Sequence, residues 1–289
     1  LEVDVYLLDS GRFLLFAHIK DQALGDGRAF LTELAAREFA GGVVAVGRAR
    51  KTPEGSEPLP CLWLEPRPES GLVAVEHGIR YALEVEHVLN PGLFLDQRDN
   101  RLRFIELVRR AALTAPFGED DGALNLFSYT GSFSLAACVG GATRTTSVDV
   151  SARYLAWERR NFELNFDVTR PPPRLIKDDA RDFVRRAKKS GKRFRFIVVD
   201  PPTFSRGQGQ PFRVREELAP LVGDALACFP EAGGAALLAS TNDSRYSRDE
   251  FLFELARVAE RAGLRMEEGA VPDGFADTAA KSAWILRDS

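Results

Sequence analysis

Three cysteines, three histidines and one methionine in 289 residues leave little material for thiol or metal chemistry. Cys61, Cys138 and Cys228 are odd in number, lie far apart and form no CxxC or Cys/His cluster. Neither a disulfide framework nor a structural zinc site is expected, no metal is called for, and a reducing cytoplasm fits this usage best. No apolar run approaches the roughly 18 residues that a membrane span needs. Glu2, Asp4 and Asp9 stand where a signal peptide would be basic, so a soluble protein without a membrane partner is expected. Positive charge is also short: 39 Lys and Arg face 42 Asp and Glu, a net charge of −3. Taken alone, that balance speaks against a nucleic-acid partner, because phosphate binding leaves a basic footprint. The distribution weakens this objection, since residues 1–88 carry 9 basic against 14 acidic side chains while 89–289 carry 30 against 28.

What is present is 45% hydrophobic residues, 20 of them Phe, in a chain long enough for two cores. Residues 3–19 read as two strands around a turn at Asp9-Ser10-Gly11, and Asp26 to Phe39 as a helix. A strand at Val43 to Val46 follows. Thr52 to Pro60, rich in Pro, Gly and Glu, is expected to be an exposed loop. Short strands at 62–64, 72–76 and 81–85 complete a small α+β domain over 1–88, a further surface for contact with a substrate. From residue 123 strands alternate with helices: 123–127, 145–150, 174–177, 194–199, 235–239 and 264–268, with 283–286 as one more at or near an edge. Such alternation implies right-handed crossovers, and hence an α/β, doubly wound, Rossmann-like sheet in a catalytic domain over 89–289.

In such a sheet ligands bind beyond the carboxyl ends of the strands. After the first strand the chain reads Asn125-Leu126-Phe127-Ser128-Tyr129-Thr130-Gly131 and enters a helix, a turn that offers backbone N–H groups to a carboxylate or phosphate. It is not GxGxxG, and a plain polar turn is the bland alternative. Asp149 ends the second strand, where a carboxylate can accept both hydroxyls of a ribose or cap the next helix. Asp179 follows the third strand, placed to take an adenine amine or again to cap. The fourth strand runs into Asp200-Pro201-Pro202-Thr203-Phe204, a rigid loop with an acceptor and an aromatic platform suited to a flat heterocycle.

The segments FLDQRDNR (94–101), LNLFSYTGSFSLAA (124–137), GGATRTTSVDVS (140–151), YLAWERRN (154–161) and VDPPTFS (199–205) together resemble the class I S-adenosylmethionine-dependent methyltransferases that modify 23S ribosomal RNA. The chain is most similar to the guanine-N7 half (RlmK) of the bifunctional RlmKL enzymes, with the cytosine-C5 enzymes of the RlmI type more distant. The resemblance implies S-adenosyl-L-methionine as cofactor, with Ser128, Tyr129, Thr130 and Gly131 around its methionine part, Asp149 on the ribose and Asp179 by the adenine. It further implies that Asp200, Pro201, Pro202 and Phe204 form the catalytic loop, and that Asp96 and Arg98 lie near the cofactor's amino-acid end.

The acceptor atom is narrowed by the thiols. Methylating cytosine C5 needs a cysteine that adds to C6, yet the loop after the fourth strand reads Pro202-Thr203 and that after the fifth Ser240-Thr241-Asn242. Guanine N7 needs no nucleophile, only alignment, for which the Asp-Pro-Pro loop, Phe204 and Asn242 are candidates. An exocyclic amine, a small-molecule acceptor, a nicotinamide dehydrogenase and a module that binds without catalysing are the competing readings. Basic runs at 181–195 and 98–110 and the polar loop 206–215 are candidate ribosomal RNA contacts, with a solvated helix face the plainer reading of the first.

Overall fold

The computed structural model describes residues 2–19, 28–52, 55–114, 117–118, 122–202 and 211–288. The chain forms two compact units, 1–95 and 96–289.

In the first unit, β1 (Glu2–Leu7) and β2 (Phe13–Ile19) form the expected hairpin, and α1 (Arg28–Glu38) leads from β2 into a parallel β3 (Val43–Thr52). Leu15, Ala17, Leu31, Ala35, Val43, Val46 and Leu62 bury a small core between this sheet and α1. The segment expected to be an exposed loop is instead β4 (Gly55–Trp63), paired antiparallel with β3. Pro58 and Pro60 lie in it because β4 is the outermost strand of the order β1-β2-β3-β4, where a missing N–H costs no ladder bond. The hairpin β5 (Leu72–Glu76) and β6 (Ile79–Leu83) turns at His77-Gly78.

A 3₁₀ turn at Leu95–Gln97 spans the boundary between the units and leads into α2 (Arg98–Thr114) of the second. The second unit then alternates through β7 (Ala123–Leu126), α3 (Ser132–Gly140), β8 (Thr145–Asp149), α4 (Ala152–Asn165), β9 (Arg174–Lys177), α5 (Ala180–Lys189) and β10 (Phe196–Val199). The remainder is α6 (Val214–Leu226), β11 (Ala235–Thr241), α7 (Arg248–Arg261), β12 (Arg265–Glu268) and β13 (Lys281–Arg287). The seven strands form one sheet in the order β12-β13-β11-β10-β7-β8-β9. β13 is the antiparallel exception, inserted between β12 and β11. The central strands β7, β10 and β11 are buried at every position, as expected for a sheet covered on both faces. Ile197, Val199, Leu237 and Ala239 join Leu218, Val222, Phe251 and Leu255 of α6 and α7 in one core. On the other face α2 and α3 pack so closely that a Cβ on Gly140 would lie 2.7 Å from Val108 Cβ.

Candidate functional site

Sheet order reverses between β7 and β10, which pair in parallel with Leu126 opposite Val199. The loops leaving these two strands therefore flank a crevice at the carboxyl edge of the sheet, where doubly wound folds bind ligands.

The loop after β7 is held in a costly shape. Phe127 and Tyr129 have φ of 58° and 51°, and Gly131 follows at 82°. Non-glycine residues in this region persist only where their surroundings over-determine them. Here the Ser128 N–H donates to the Val148 carbonyl (3.1 Å), the Tyr129 N–H to Asp149 Oδ2 (3.0 Å), and Asn161 Nδ2 to the Thr130 carbonyl (2.9 Å). Gly131 caps α3 and, having no side chain, offers no acceptor of its own to the first-turn N–H groups of this helix. That arrangement is suited to an external carboxylate.

Beneath the loop lies a buried polar cluster. Ser128 Oγ donates to Glu158 Oε2 (3.0 Å), Ser147 Oγ donates to Glu158 Oε1, and Ser134 and Ser147 share a bond of 2.7 Å. Asn125 sits under the loop within β7, its amide donating to Ser134 Oγ (3.0 Å). Glu158 is fully buried. Burial pushes its carboxyl up to about 7, against the pull of the Ser147, Ser134 and Ser128 hydroxyls, with the Asp149 charge raising it further. A Cβ on Gly131 would lie 2.2 Å from Glu158 Cγ, so glycine is required there by packing as well as by backbone angle. Glu158 and Asn161 lie within the segment 154–161 that carries the family resemblance, but neither is assigned a role there. Their one signal is spacing, since Glu158 stands three residues after Leu155 and four before Phe162, on the buried face of α4.

Asp149 ends β8 with Oδ1 accepting the Ser151 N–H (2.8 Å) and Oδ2 the Tyr129 N–H. Burial raises its carboxyl, and these two N–H groups oppose the rise. It does not cap α4; Ser151 does, accepting the Tyr154 N–H. Each carboxylate oxygen keeps acceptor capacity for a hydroxyl. Asp179 is the cap of α5, accepting the Arg181 N–H (2.8 Å) and gripped by the Arg181 guanidinium at 2.9 and 2.6 Å. The Arg181 hydrogen bonds hold it below the usual carboxylate range. The capping alternative is thus the one displayed.

Across the crevice, Asp200 accepts from Ser240 Oγ at 2.6 Å. Burial raises its carboxyl, while the Ser240 bond and the positive charge of Arg101 lower it. Arg101, one turn into α2, is 1% exposed with its guanidinium 6.0 Å from the Phe133 ring centre. Pro201 is buried and Pro202 exposed, while Phe204 lies outside the described residues. Asn242 is exposed directly after β11. The next residue, Asp243, is buried, paired with Arg245 (2.8 Å) and lends its carbonyl to Lys281 Nζ (2.9 Å). Asp96 lies in the 3₁₀ turn before α2, and Arg98 opens that helix with Nε donating to Asp99 at 3.2 Å.

Two of the three thiols lie elsewhere on this sheet. Cys138 is 3.9 Å from the hydroxyl of Thr145, which begins β8, and the Cys228 carbonyl accepts from Phe194, just before β10. Both therefore sit at the amino edge of the sheet, and burial raises both. The basic run at 181–195 is largely consumed internally. Arg181 pairs with Asp179 and Glu217, Arg185 with Asp182, Arg186 with Asp178 and Lys188 with Asp224, while Arg195 is buried. Among the described residues no group of three or more His, Cys, Asp or Glu could hold a metal, and no helix is long and apolar enough to cross a membrane.

A family model described as S-adenosylmethionine-dependent methyltransferase matches residues 22–283. Ribosomal RNA large subunit methyltransferase K of Neisseria meningitidis serogroup B is 31% identical over 218 residues, 74% of this chain and 56% of that protein. Ribosomal RNA large subunit methyltransferase K/L of Pseudomonas entomophila is 34% identical over 214 residues, 73% of this chain and 26% of that protein. The chain thus spans about half or less of the curated relatives it matches. A solved Streptococcus mutans chain, assigned as a SAM-dependent methyltransferase, superposes with a TM-score of 0.74 over 95% of this chain and 69% of its own, at 24% identity.

Proposed function

Because the chain belongs to the S-adenosylmethionine-dependent methyltransferase family, we propose that it transfers a methyl group from S-adenosylmethionine to a base of 23S ribosomal RNA, at guanine N7. The observation that carries this reading is the pairing of two built loops across one crevice. One is a strained loop with a carboxylate, leading into a helix whose glycine cap supplies no side-chain acceptor, and the other is a rigid Asp-Pro-Pro turn.

The donor set fits the cofactor. The first-turn N–H groups of α3 suit its carboxylate, and Asp149 suits the ribose diol. When bound, the cofactor supplies a methyl group on a sulfonium sulfur. The protein's share of the work is alignment, since guanine N7 presents an in-plane lone pair and has no proton to lose. Fixing that lone pair in line with the methyl carbon is worth on the order of 7 to 11 kcal/mol. Pro201 and Pro202 fix the backbone that carries Asp200, and Ser240 fixes its carboxylate. The positive charge passes to the purine during transfer, and the Asp200 carboxylate faces that charge with a favourable field. Phe204 stacks on the base and Asn242 reads its edge. The position of Cys138 and Cys228 at the opposite edge of the sheet supports a mechanism without a cysteine nucleophile. Because four of the eight basic residues in 181–195 are ion-paired and Arg195 is buried, RNA contact is assigned to the segment 206–215 and to the first unit.

Incubation with methyl-labelled S-adenosylmethionine and unmodified 23S ribosomal RNA tests this. Label on a guanine that becomes sensitive to alkaline ring opening is expected. Labelled 5-methylcytosine, or label on an exocyclic amine, would overturn the acceptor assignment.

A further inference from the structure

We propose that Glu158 is a specificity-determining residue of the cofactor site: its carboxylate, buried directly beneath the 128–131 loop, makes the crevice prefer the sulfonium cofactor over the neutral thioether that remains after methyl transfer. The proposal rests on the reading of that loop as the cofactor loop. Glu158 touches the loop at two points, through the Ser128 hydroxyl at 3.0 Å and through the space below Gly131 that admits no Cβ. Its hydrogen-bond partners are the serine hydroxyls of Ser128, Ser134 and Ser147, and no lysine or arginine among the described residues pairs with it. A buried carboxylate without a protein counter-ion is expensive. Its field is poorly screened and reaches the crevice above, where Asp149 adds charge of the same sign. S-adenosylmethionine carries a net charge of about +1 from its sulfonium, ammonium and carboxylate groups, whereas S-adenosylhomocysteine, having lost the sulfonium, is neutral overall. The same negative field that retains the first does not retain the second, so loss of the methyl group loosens the product.

The test is calorimetric titration of both ligands at pH 8 into the full chain and into Glu158→Gln, which keeps the shape and the capacity to bond Ser128 and Ser147 while removing the charge. Glu158→Asp, which keeps the charge, serves as the second variant. The Gln variant is expected to bind S-adenosylmethionine roughly three- to tenfold more weakly with S-adenosylhomocysteine little changed, and Asp to restore the preference. Equal weakening of both ligands by Gln would show a residue that only shapes the loop and would overturn the proposal, as would no change in either. Failure of the unmodified chain to bind either ligand would instead overturn the cofactor reading beneath it.

Discussion

Replacing Glu158 by Gln should stabilise the protein, and more so as the pH rises. The carboxyl is fully buried and titrates at about 7 in the folded chain, against an ordinary value of 4.5. Because the folded value is the higher one, this group's contribution is complete below pH 4.5. It then declines as the unfolded chain ionises first, and is lost once the pH passes 7. Over that window the loss amounts to roughly 3 kcal/mol. Asp149 and Asp200 are raised and Asp179 is lowered, so the useful quantity is the difference between the two proteins, in which the groups not coupled to Glu158 cancel. Urea unfolding of both at intervals from pH 5 to pH 8 should show the advantage of Gln growing by about 2 to 3 kcal/mol. A difference that stays flat would mean that the carboxylate is not desolvated, and would refute both its burial and the cost attributed to it. A charge retained at that cost is consistent with a role in ligand selection.

Gly131→Ala should weaken cofactor binding by at least tenfold and lower stability by about 1 to 3 kcal/mol, because the methyl meets Glu158 at a backbone angle that side chains rarely adopt; titration and thermal unfolding read both effects. Asp149→Ala should weaken cofactor binding and also loosen the loop, since it removes the acceptor of the Tyr129 N–H; calorimetry showing undiminished affinity would exclude Asp149 from the site. Asp200→Asn should lower kcat by about ten- to a hundredfold with little effect on cofactor affinity, measured by single-turnover methyl transfer. Phe204→Ala should likewise act on turnover, and full activity would remove the stacking role.

Much of the second unit is legible in the sequence because its strands are short apolar runs separated by helices with recognisable starts, such as Ser247, which accepts the Glu250 N–H three residues on, although α4 is capped by Ser151 and not by Asp149. β4 is not, since its prolines read as loop until the strand is seen to lie at a sheet edge, where their missing donors cost nothing. The place of β13 depends on pairing with β11 through a register that local pattern does not encode. In the site, residues directly after strands can be found by position alone. The roles of Glu158, Asn161, Ser240 and Arg101 cannot, because each acts on a neighbour distant in sequence, even where the residue falls inside a recognisable segment such as 94–101 or 154–161. Asn125 and Asp179 show the reverse case. Both stand where the pattern directs attention, yet one supports the loop from below and the other is engaged by Arg181.

The most direct measurement is a crystal structure of the chain soaked with S-adenosylhomocysteine. The ligand's carboxylate is predicted at the N-terminus of α3 and its ribose hydroxyls on Asp149, with its sulfur facing the Asp200 turn. A ligand bound elsewhere, or Asp149 without a hydroxyl contact, would contradict the account.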